Sequence, residues 1–330
     1  MRSNGKVLGL NKEHETDELR ENMALKRYEF EVLTHLERQG SGIYPIRQLS
    51  DTLCISGTAI TKCLEGLAKE ECIIKNGLEL CITERGKNAL EPYRVKRAII
   101  LAAGFGSRMM PATADRPKPM VRVNGVRIID TLLDALVAVG IKEVTIIGGY
   151  RFDKLKELQE KYPFVRLIEN KEYANSNNIS SALLSFDTLH DGCYICEADL
   201  FITNPQIISK YQYASNILGS YSMETDDWSF RMEEDGFLTD YRKGNTYCYN
   251  YYGISYWTPE DCEKLKKDFQ EVFSEPGGKD YFWEFIPFVL RKENYRVEIR
   301  PCNKQDIMEI DNYYELAQLD SSYPIAKEKE

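Results

Sequence analysis

Between Ile100 and Val121 the chain reads Ile-Leu-Ala-Ala-Gly-Phe-Gly-Ser-Arg-Met-Met-Pro-Ala-Thr-Ala-Asp-Arg-Pro-Lys-Pro-Met-Val. An apolar run, Arg97 to Ala103, stops at Gly104-Phe105-Gly106. Ser107 and Arg108 follow, and further on Lys118 stands between Pro117 and Pro119. A buried strand that opens into small residues lets backbone N–H groups approach an anion closely. Arg108 and Lys118 would add mobile positive charge beside a polyphosphate. A bare Gly-x-Gly is equally compatible with a tight turn before a solvated basic loop. The whole string is far more specific.

Asp199 ends the segment Cys193-Tyr-Ile-Cys-Glu-Ala-Asp. A carboxylate at the end of a strand, facing a phosphate loop, suits Mg²⁺, which takes one or two carboxylates plus phosphate oxygens. An ordinary turn or helix-cap aspartate would look the same. Farther on, Met308-Glu309-Ile310-Asp311 sets carboxylates at i and i+2, on one face of a strand. Glu309 and Asp311 are therefore candidates to complete a metal site, the alternative being a solvated strand face. The only histidines, His14, His35 and His190, stand apart from these candidates, so histidine general-base chemistry is not expected. Nine cysteines, an odd number in a long chain, suggest reduced thiols rather than a disulfide framework. Cys193 and Cys196 form a Cys-x-x-Cys inside a strand, where i and i+3 face opposite ways, so no metal or redox role is expected of them.

The elements that must position these groups alternate from residue 95 onward. Periodicity predicts strands at 97–103, 143–147, 165–169 and 193–198, and helices at 128–139, 152–161 and 179–189. That pattern is doubly wound α/β with a mixed, mostly parallel, Rossmann-like sheet. Ligands of such sheets sit beyond the carboxyl ends of the strands. The Gly-rich loop, Gly149 and Asp199 all fall there. Past residue 215 the pattern becomes β-rich, at 217–223, 228–232, 237–241 and 248–257, then helical at 260–273 and 281–292.

A chain of 330 residues suggests roughly two domains on a prior of about 150 each. Residues 1–22 read as a flexible N-terminal arm, 23–95 as a small separate unit and 96–330 as the α/β domain. No apolar run approaches the ~20 residues that span a bilayer, and Met1–Lys6 lacks the apolar core of a secretion signal. A cytoplasmic protein without membrane partners is expected. Residues 1–95 are nearly balanced in charge, whereas 96–330 carry 29 basic against 37 acidic residues. That excess argues against bulk nucleic-acid binding by the larger domain and suits a site for metal ions or a cationic group.

In the small unit, helical spacing runs from Met23 to Arg38, a second helix covers 46–53 and a third 59–69. Asn76-Gly77 between apolar runs marks a hairpin, and Thr83 opens a last helix. This order resembles a MarR-like winged helix-turn-helix, in which Ser56 to Glu70 would be the recognition helix. DNA is then a candidate partner of residues 23–95. From Ser56 to Glu71 only Lys62 and Lys69 stand against Glu65, Glu70 and Glu71, whereas DNA binding needs a basic face. A dimerisation or regulatory module, and with it a homodimer, fits at least as well.

Residues 96–320 resemble the nucleotidyltransferase family, and within it the bacterial CTP:phosphocholine cytidylyltransferases of the LicC type. The segments that carry the likeness are Ala98–Arg108, Arg116–Met120, Val144–Tyr150, Asn170–Asn178, Glu197–Phe201, Thr225–Trp228, Tyr252–Trp257, Asp280–Glu284 and Met308–Asp311. The resemblance implies that Leu101, Ala102, Ala103, Gly104, Phe105, Gly106 and Ser107 wrap the triphosphate. It makes Lys118, Arg108 and Asp199 catalytic, brings Gly149, Tyr150 and Asn178 to the nucleotide, and has Asp199, Glu309 and Asp311 hold Mg²⁺. It places the acceptor head group among Asp227, Trp228, Phe282, Trp283 and Glu284. The chain departs from the pattern at Phe282, where a Tyr is expected, at Glu284 for a shorter Asp, and at Asp227 for a Glu.

The chemistry implied is transfer of CMP from CTP to phosphocholine, giving CDP-choline and pyrophosphate. A trimethylammonium cannot donate strong hydrogen bonds, so it is held by aromatic faces with carboxylates at longer range. Trp257, in a Tyr-Trp pair, reads instead as core. The competing acceptors are 2-aminoethylphosphonate, phosphoethanolamine and a sugar 1-phosphate. A sugar would call for polar hydrogen-bonding groups in place of the aromatic–acid cluster. A primary amine would favour more carboxylates and fewer ring faces. A reading of another class is a winged-helix transcriptional regulator that senses such metabolites.

Overall fold

The computed structural model describes residues 24–324. The expected arm, residues 1–22, lies outside them. The chain divides into two compact units, meeting between Arg94 and Val95. The first contains α1 (Arg27–Gln39), β1 (Gly42–Ile43), α2 (Ile46–Leu53), α3 (Gly57–Lys69), β2 (Ile73–Asn76), β3 (Glu79–Ile82) and α4 (Glu84–Leu90). Its three strands pair in the order β1-β3-β2, all antiparallel. Ser56 and Thr83 cap α3 and α4 by accepting from the Ala59 and Gly86 N–H groups.

The second unit is built on a seven-stranded sheet. Its elements are β4 (Arg97–Ala102), β5 (Arg122–Val123), β6 (Val126–Arg127), α5 (Ile128–Ala138), β7 (Glu143–Gly148), α6 (Phe152–Leu155), α7 (Leu158–Lys161), β8 (Val165–Glu169), α8 (Ile179–Leu183), β9 (Cys193–Glu197) and β10 (Leu200–Ile202). There follow β11 (Asn216–Met232), β12 (Leu238–Trp257), α9 (Pro259–Ser274), β13 (Glu298–Pro301), β14 (Ile307–Glu309) and α10 (Tyr313–Leu319). The sheet order is β13-β11-β12-β9-β4-β7-β8. The strands β9, β4, β7 and β8 run parallel, while β12 is antiparallel to both β9 and β11. The β4 run Ala98–Ala102 is buried throughout, as expected of a parallel strand covered on both faces. One apolar layer packs α5 against β4 and β7 through residues such as Ile100, Leu133 and Ile146. The opposite layer joins Ile99 and Ile195 to Trp257, Phe269 and Trp283.

Three predicted helices are shorter in the structure. Residues 152–161 form two single turns, α6 and α7, joined by i to i+3 bonds at Lys156 and Glu157. The helix from 179 stops at Leu183, where the Ser185 hydroxyl takes the Ala182 carbonyl. Between 281 and 292 only a five-residue π turn, Ile286–Leu290, forms. Pro287 has no N–H to sustain a regular ladder there. Conversely, the β-rich segments merge into the long ribbon β11–β12. Asp226 and Asp227 bulge from it, between the pairs Thr225–Asn245 and Trp228–Lys243. A bulge adds local bend and re-aims side chains, here beside the site.

Candidate active site

A cavity of about 730 Å³ opens at the carboxyl ends of β4 and β9. Its donor side is the loop after β4, with Leu101 to Arg108 all on the lining together with Lys118. Gly106 has φ +61°, and a Cβ there would stand 3.1 Å from both Lys118 Cβ and Thr113 Cγ2. Glycine lets the loop fold onto Lys118 in a conformation other residues resist. Thr113 Oγ1 donates to the Gly106 carbonyl at 2.9 Å and holds that turn.

The short β10–β14 pair closes the gap in sequence between Asp199 and Asp311. Its register, Leu200 with Glu309, draws Asp199, Glu309 and Asp311 to one rim. Lys118 Nζ donates to Asp199 Oδ2 at 2.8 Å and to Asp311 Oδ1 at 3.2 Å, and Arg108 Nη2 donates to Asp311 Oδ1 at 3.0 Å. Burial works to lower the Lys118 pKa, but Asp199 and Asp311 outweigh it and hold the ammonium above its ordinary value. The Asp311 N–H donates to Glu315 Oε2 at 2.7 Å, which anchors this aspartate just before α10.

Glu197, Asp199 and Glu309 each offer a carboxylate oxygen, and these oxygens lie within 4.8 Å of one another. Asp199 Oδ1 is buried without a hydrogen-bond partner. Burial first, then Asp199 and Asp311, push the Glu309 carboxyl up to about 8. A buried acceptor without a donor and crowded carboxylates are what a divalent cation would satisfy, so these residues fit one. Asp311 stands beside that trio; like Asp199 it accepts from Lys118, and it also accepts from Arg108.

At the far end of the cavity lie Asp227, Trp228, Phe282 and Glu284. One Trp228 face stacks on Tyr241, with centroids 5.1 Å apart and planes 16° from parallel, and Phe285 meets Trp228 edge-on at 5.3 Å. Glu284 is buried, which pushes its carboxyl up to about 7 against the pull of its own backbone and Asn178.

Three expected site residues are placed elsewhere. Trp283 is only 1% exposed and sits in the core against Trp257 and Phe269, with centroids 6.1 Å and 6.2 Å away. Phe282 and Glu284 face the cavity, so the residue between them turns inward. Gly149 and Tyr150 lie behind the loop that follows β4. The Tyr150 N–H donates to the Ala103 carbonyl at 3.2 Å and its hydroxyl to the Thr113 carbonyl at 3.1 Å, so both residues brace the loop from outside the cavity. Trp257 is fully buried, as expected.

Glu197 is the main residue that sequence reasoning passed over. It lines the cavity and accepts from the Tyr251 hydroxyl at 3.3 Å. Gly253 leaves room for it, since a Cβ there would stand 2.5 Å from the Glu197 carboxyl group. Burial, then the neighbouring Glu284 and Asp199, raise its pKa well above the usual range. The signal was present, because Glu197 and Asp199 have the same i, i+2 spacing that singled out Glu309 and Asp311. Tyr173 and Asn170 also reach the cavity. The Tyr173 ring lies 5.0 Å from that of Phe105.

Residues 98–215 match the family model described as a MobA-like NTP transferase domain. Over 232 residues the chain is 36% identical to a 2-aminoethylphosphonate cytidylyltransferase of Lancefieldella rimae, covering 68% of this chain and 92% of that protein. The chain belongs to the cytidylyltransferase family. A second relative, the choline-phosphate cytidylyltransferase of Streptococcus pneumoniae, is 28% identical over 232 residues, 68% of this chain and 96% of that protein. The solved structure of CTP:phosphocholine cytidylyltransferase from the same organism superposes with a TM-score of 0.64 at 28% identity, over 70% of this chain and all of that one. The family's sheet is thus the one expected from the alternation of strands and helices. Among the described residues no helix is long and apolar enough to cross a membrane.

Proposed function

We propose that this cytidylyltransferase moves CMP from CTP to a small phosphonate or phosphate acceptor that carries a primary amine, in the class of 2-aminoethylphosphonate and phosphoethanolamine. The observation that carries this reading is the make-up of the far end of the cavity. Trp283 is withdrawn from it, which leaves the carboxylates Glu284 and Asp227, with Glu197 beside Glu284, against the two rings of Trp228 and Phe282. That is the balance a hydrogen-bond-donating ammonium favours. Buried carboxylates need donors, and a primary ammonium brings three. The 36% identity to a 2-aminoethylphosphonate enzyme points the same way. Phosphocholine is the second reading, resting on Trp228 and Phe282 at the cavity and on the choline-phosphate relatives.

In this mechanism an acceptor oxygen attacks the α-phosphorus of CTP, the bond to the β-phosphate breaks, and pyrophosphate leaves. A phosphonate or phosphate dianion is already a nucleophile, so no protein base is required. The loop from Leu101 to Ser107 would direct N–H groups at the triphosphate, and Lys118 and Arg108 would offset its charge. Asp199, Glu309 and Asp311 would hold Mg²⁺, with Glu197 beside Asp199 and Glu309, and with Lys118 and Arg108 seated on the same carboxylates. When bound, that ion would neutralise phosphate charge in the transition state. Glu284 and Asp227 at the other end would orient the amine, so that catalysis is mainly positioning and charge stabilisation. For the N-terminal unit, the order of α1–α4 with its small sheet supports the winged-helix reading, with DNA as a candidate partner.

The test is pyrophosphate release from each of the four NTPs against phosphocholine, phosphoethanolamine, 2-aminoethylphosphonate and sugar 1-phosphates. CTP with a primary-amine acceptor is expected to give the highest kcat/KM. A preference for phosphocholine would overturn the amine assignment, and silence with every acceptor would overturn the enzyme assignment.

A further inference from the structure

Asn178 is expected from the sequence to touch the nucleotide, yet its amide is committed elsewhere. Asn178 Oδ1 accepts the Trp283 N–H at 2.7 Å, and Asn178 Nδ2 points at Glu284 Oε2 across 3.5 Å. The residue before it ties the same two segments. The Asn177 N–H donates to the Lys279 carbonyl at 2.8 Å, and Asn177 Nδ2 donates to the Asp280 carbonyl at 3.1 Å. The Asn178 N–H in turn donates to Asn177 Oδ1 at 2.8 Å. Two adjacent asparagines thus staple the start of α8 to residues 279–284.

We propose that Asn178 is a positioning residue for the acceptor side, acting through Glu284, and not a ligand of the nucleotide. This rests on the assignment of Glu284 to the acceptor. The asparagine amide offers an acceptor and a donor from one planar group. The Trp283 N–H demands the oxygen, and that demand turns the NH₂ toward Glu284. The backbone at 283 and the carboxylate at 284 are therefore set by one side chain. The same bond fixes the backbone between Phe282 and Glu284, which face the cavity, while the Trp283 ring packs inward against Trp257 and Phe269.

The experiment compares full-length wild type, Asn178→Ala and Asn178→Asp. Steady-state pyrophosphate release is measured with CTP and 2-aminoethylphosphonate varied in turn, and each substrate is titrated separately by calorimetry. The aspartate variant keeps an acceptor for the Trp283 N–H but sets a carboxylate against Glu284, so it tests the second contact with the first preserved. In both variants acceptor KM and Kd are expected to rise by about 10-fold or more, because a charge-bearing contact is lost. The CTP constants are expected to stay within about twofold of wild type. A rise in the CTP constants equal to that for the acceptor, or no change in either, would overturn the proposal. Wild type that binds the acceptor without releasing pyrophosphate would overturn the functional reading alone, since the binding comparison still reports on Asn178. Wild type that binds no acceptor would overturn both.

Discussion

Lys118 Nζ stands 2.8 Å from Asp199 Oδ2, and the two residues are 81 apart in the chain. The lysine side chain is 11% exposed and also reaches Asp311. One ammonium therefore joins the loop after β4 to the carboxylates at the ends of β9 and β14. It is expected to do double service, orienting two acids and meeting phosphate charge. Lys118→Met keeps the stem and removes the charge. Pyrophosphate release at saturating CTP is expected to fall on the order of 10²-fold or more. Lys118→Arg is not expected to restore it, because a planar fork cannot replace a point charge in this buried seat. Activity within about threefold of wild type in the methionine variant would refute the role.

Asp199 Oδ1, buried and without a hydrogen-bond donor, is the atom most suited to a cation. Asp199→Asn is nearly isosteric, so folding should be preserved. Turnover is expected to drop about 10²-fold or more at every Mg²⁺ concentration, and Mg²⁺ binding followed by calorimetry should weaken in step. Unchanged Mg²⁺ binding in this variant would remove Asp199 from the metal site.

Glu284 should impose a pH dependence of known sign. Burial raises its folded-state pKa to about 7. The unfolded chain therefore releases this proton first as pH rises. The stability Glu284 contributes is complete below its ordinary value near 4.5 and is lost as pH climbs through about 7. Urea midpoints of the substrate-free protein are expected to decline between about pH 5 and about pH 8, and less steeply in Glu284→Gln. Acceptor binding runs the other way, since an amine cation needs the ionised carboxylate. Acceptor KM should fall over the same interval, more steeply in wild type than in Glu284→Gln, where the remaining slope reports ionisation of the acceptor's own phosphonate or phosphate.

Phe282 and Trp283 are neighbours with opposite expected phenotypes. Trp283 is 1% exposed within the aromatic core, whereas Phe282 is 41% exposed at the cavity. Trp283→Ala should cost about 3–5 kcal/mol of stability, read as a large drop in Tm. Phe282→Ala should change stability by only about 0.5 kcal/mol and raise acceptor KM. If Phe282→Ala left acceptor KM unchanged while Trp283→Ala raised it in a folded protein, the two assignments would have to be exchanged.

The donor half of the site was legible because it is local in sequence. Residues 101–108 form one turn after one buried strand, and the reach of Arg108 and Lys118 follows from that turn. The i, i+2 spacing of Glu309 and Asp311 likewise marked two carboxylates for one rim, although β14 stops at Glu309 and Asp311 follows it. The order of parallel strands followed from apolar runs separated by helical periods, with lengths overestimated where Ser185 and Pro287 interrupt the backbone ladder.

The acceptor half was decided by tertiary contacts. Whether the aromatic at 282 or at 283 meets the ligand depends on the Trp283 N–H bond to Asn178, which spans 105 positions. Glu197 becomes a cavity residue because Gly253, on the antiparallel neighbour β12, leaves space for its carboxyl group. Asp227 and Trp228 are aimed by a bulge in a ribbon that the sequence shows only as separate short strands. Side-chain periodicity tells which residues share a face of their own element. It carries no information on which distant element supplies the partner, and in this protein that partner takes Trp283 into the core while Glu197 and Glu284 line the cavity. The amino-acid sequence by itself therefore determined the small-residue loop after β4, the parallel core and the acid pair Glu309 and Asp311. The tertiary structure decided the composition of the far end of the cavity, because burial and hydrogen bonding there are settled between segments far apart in the chain.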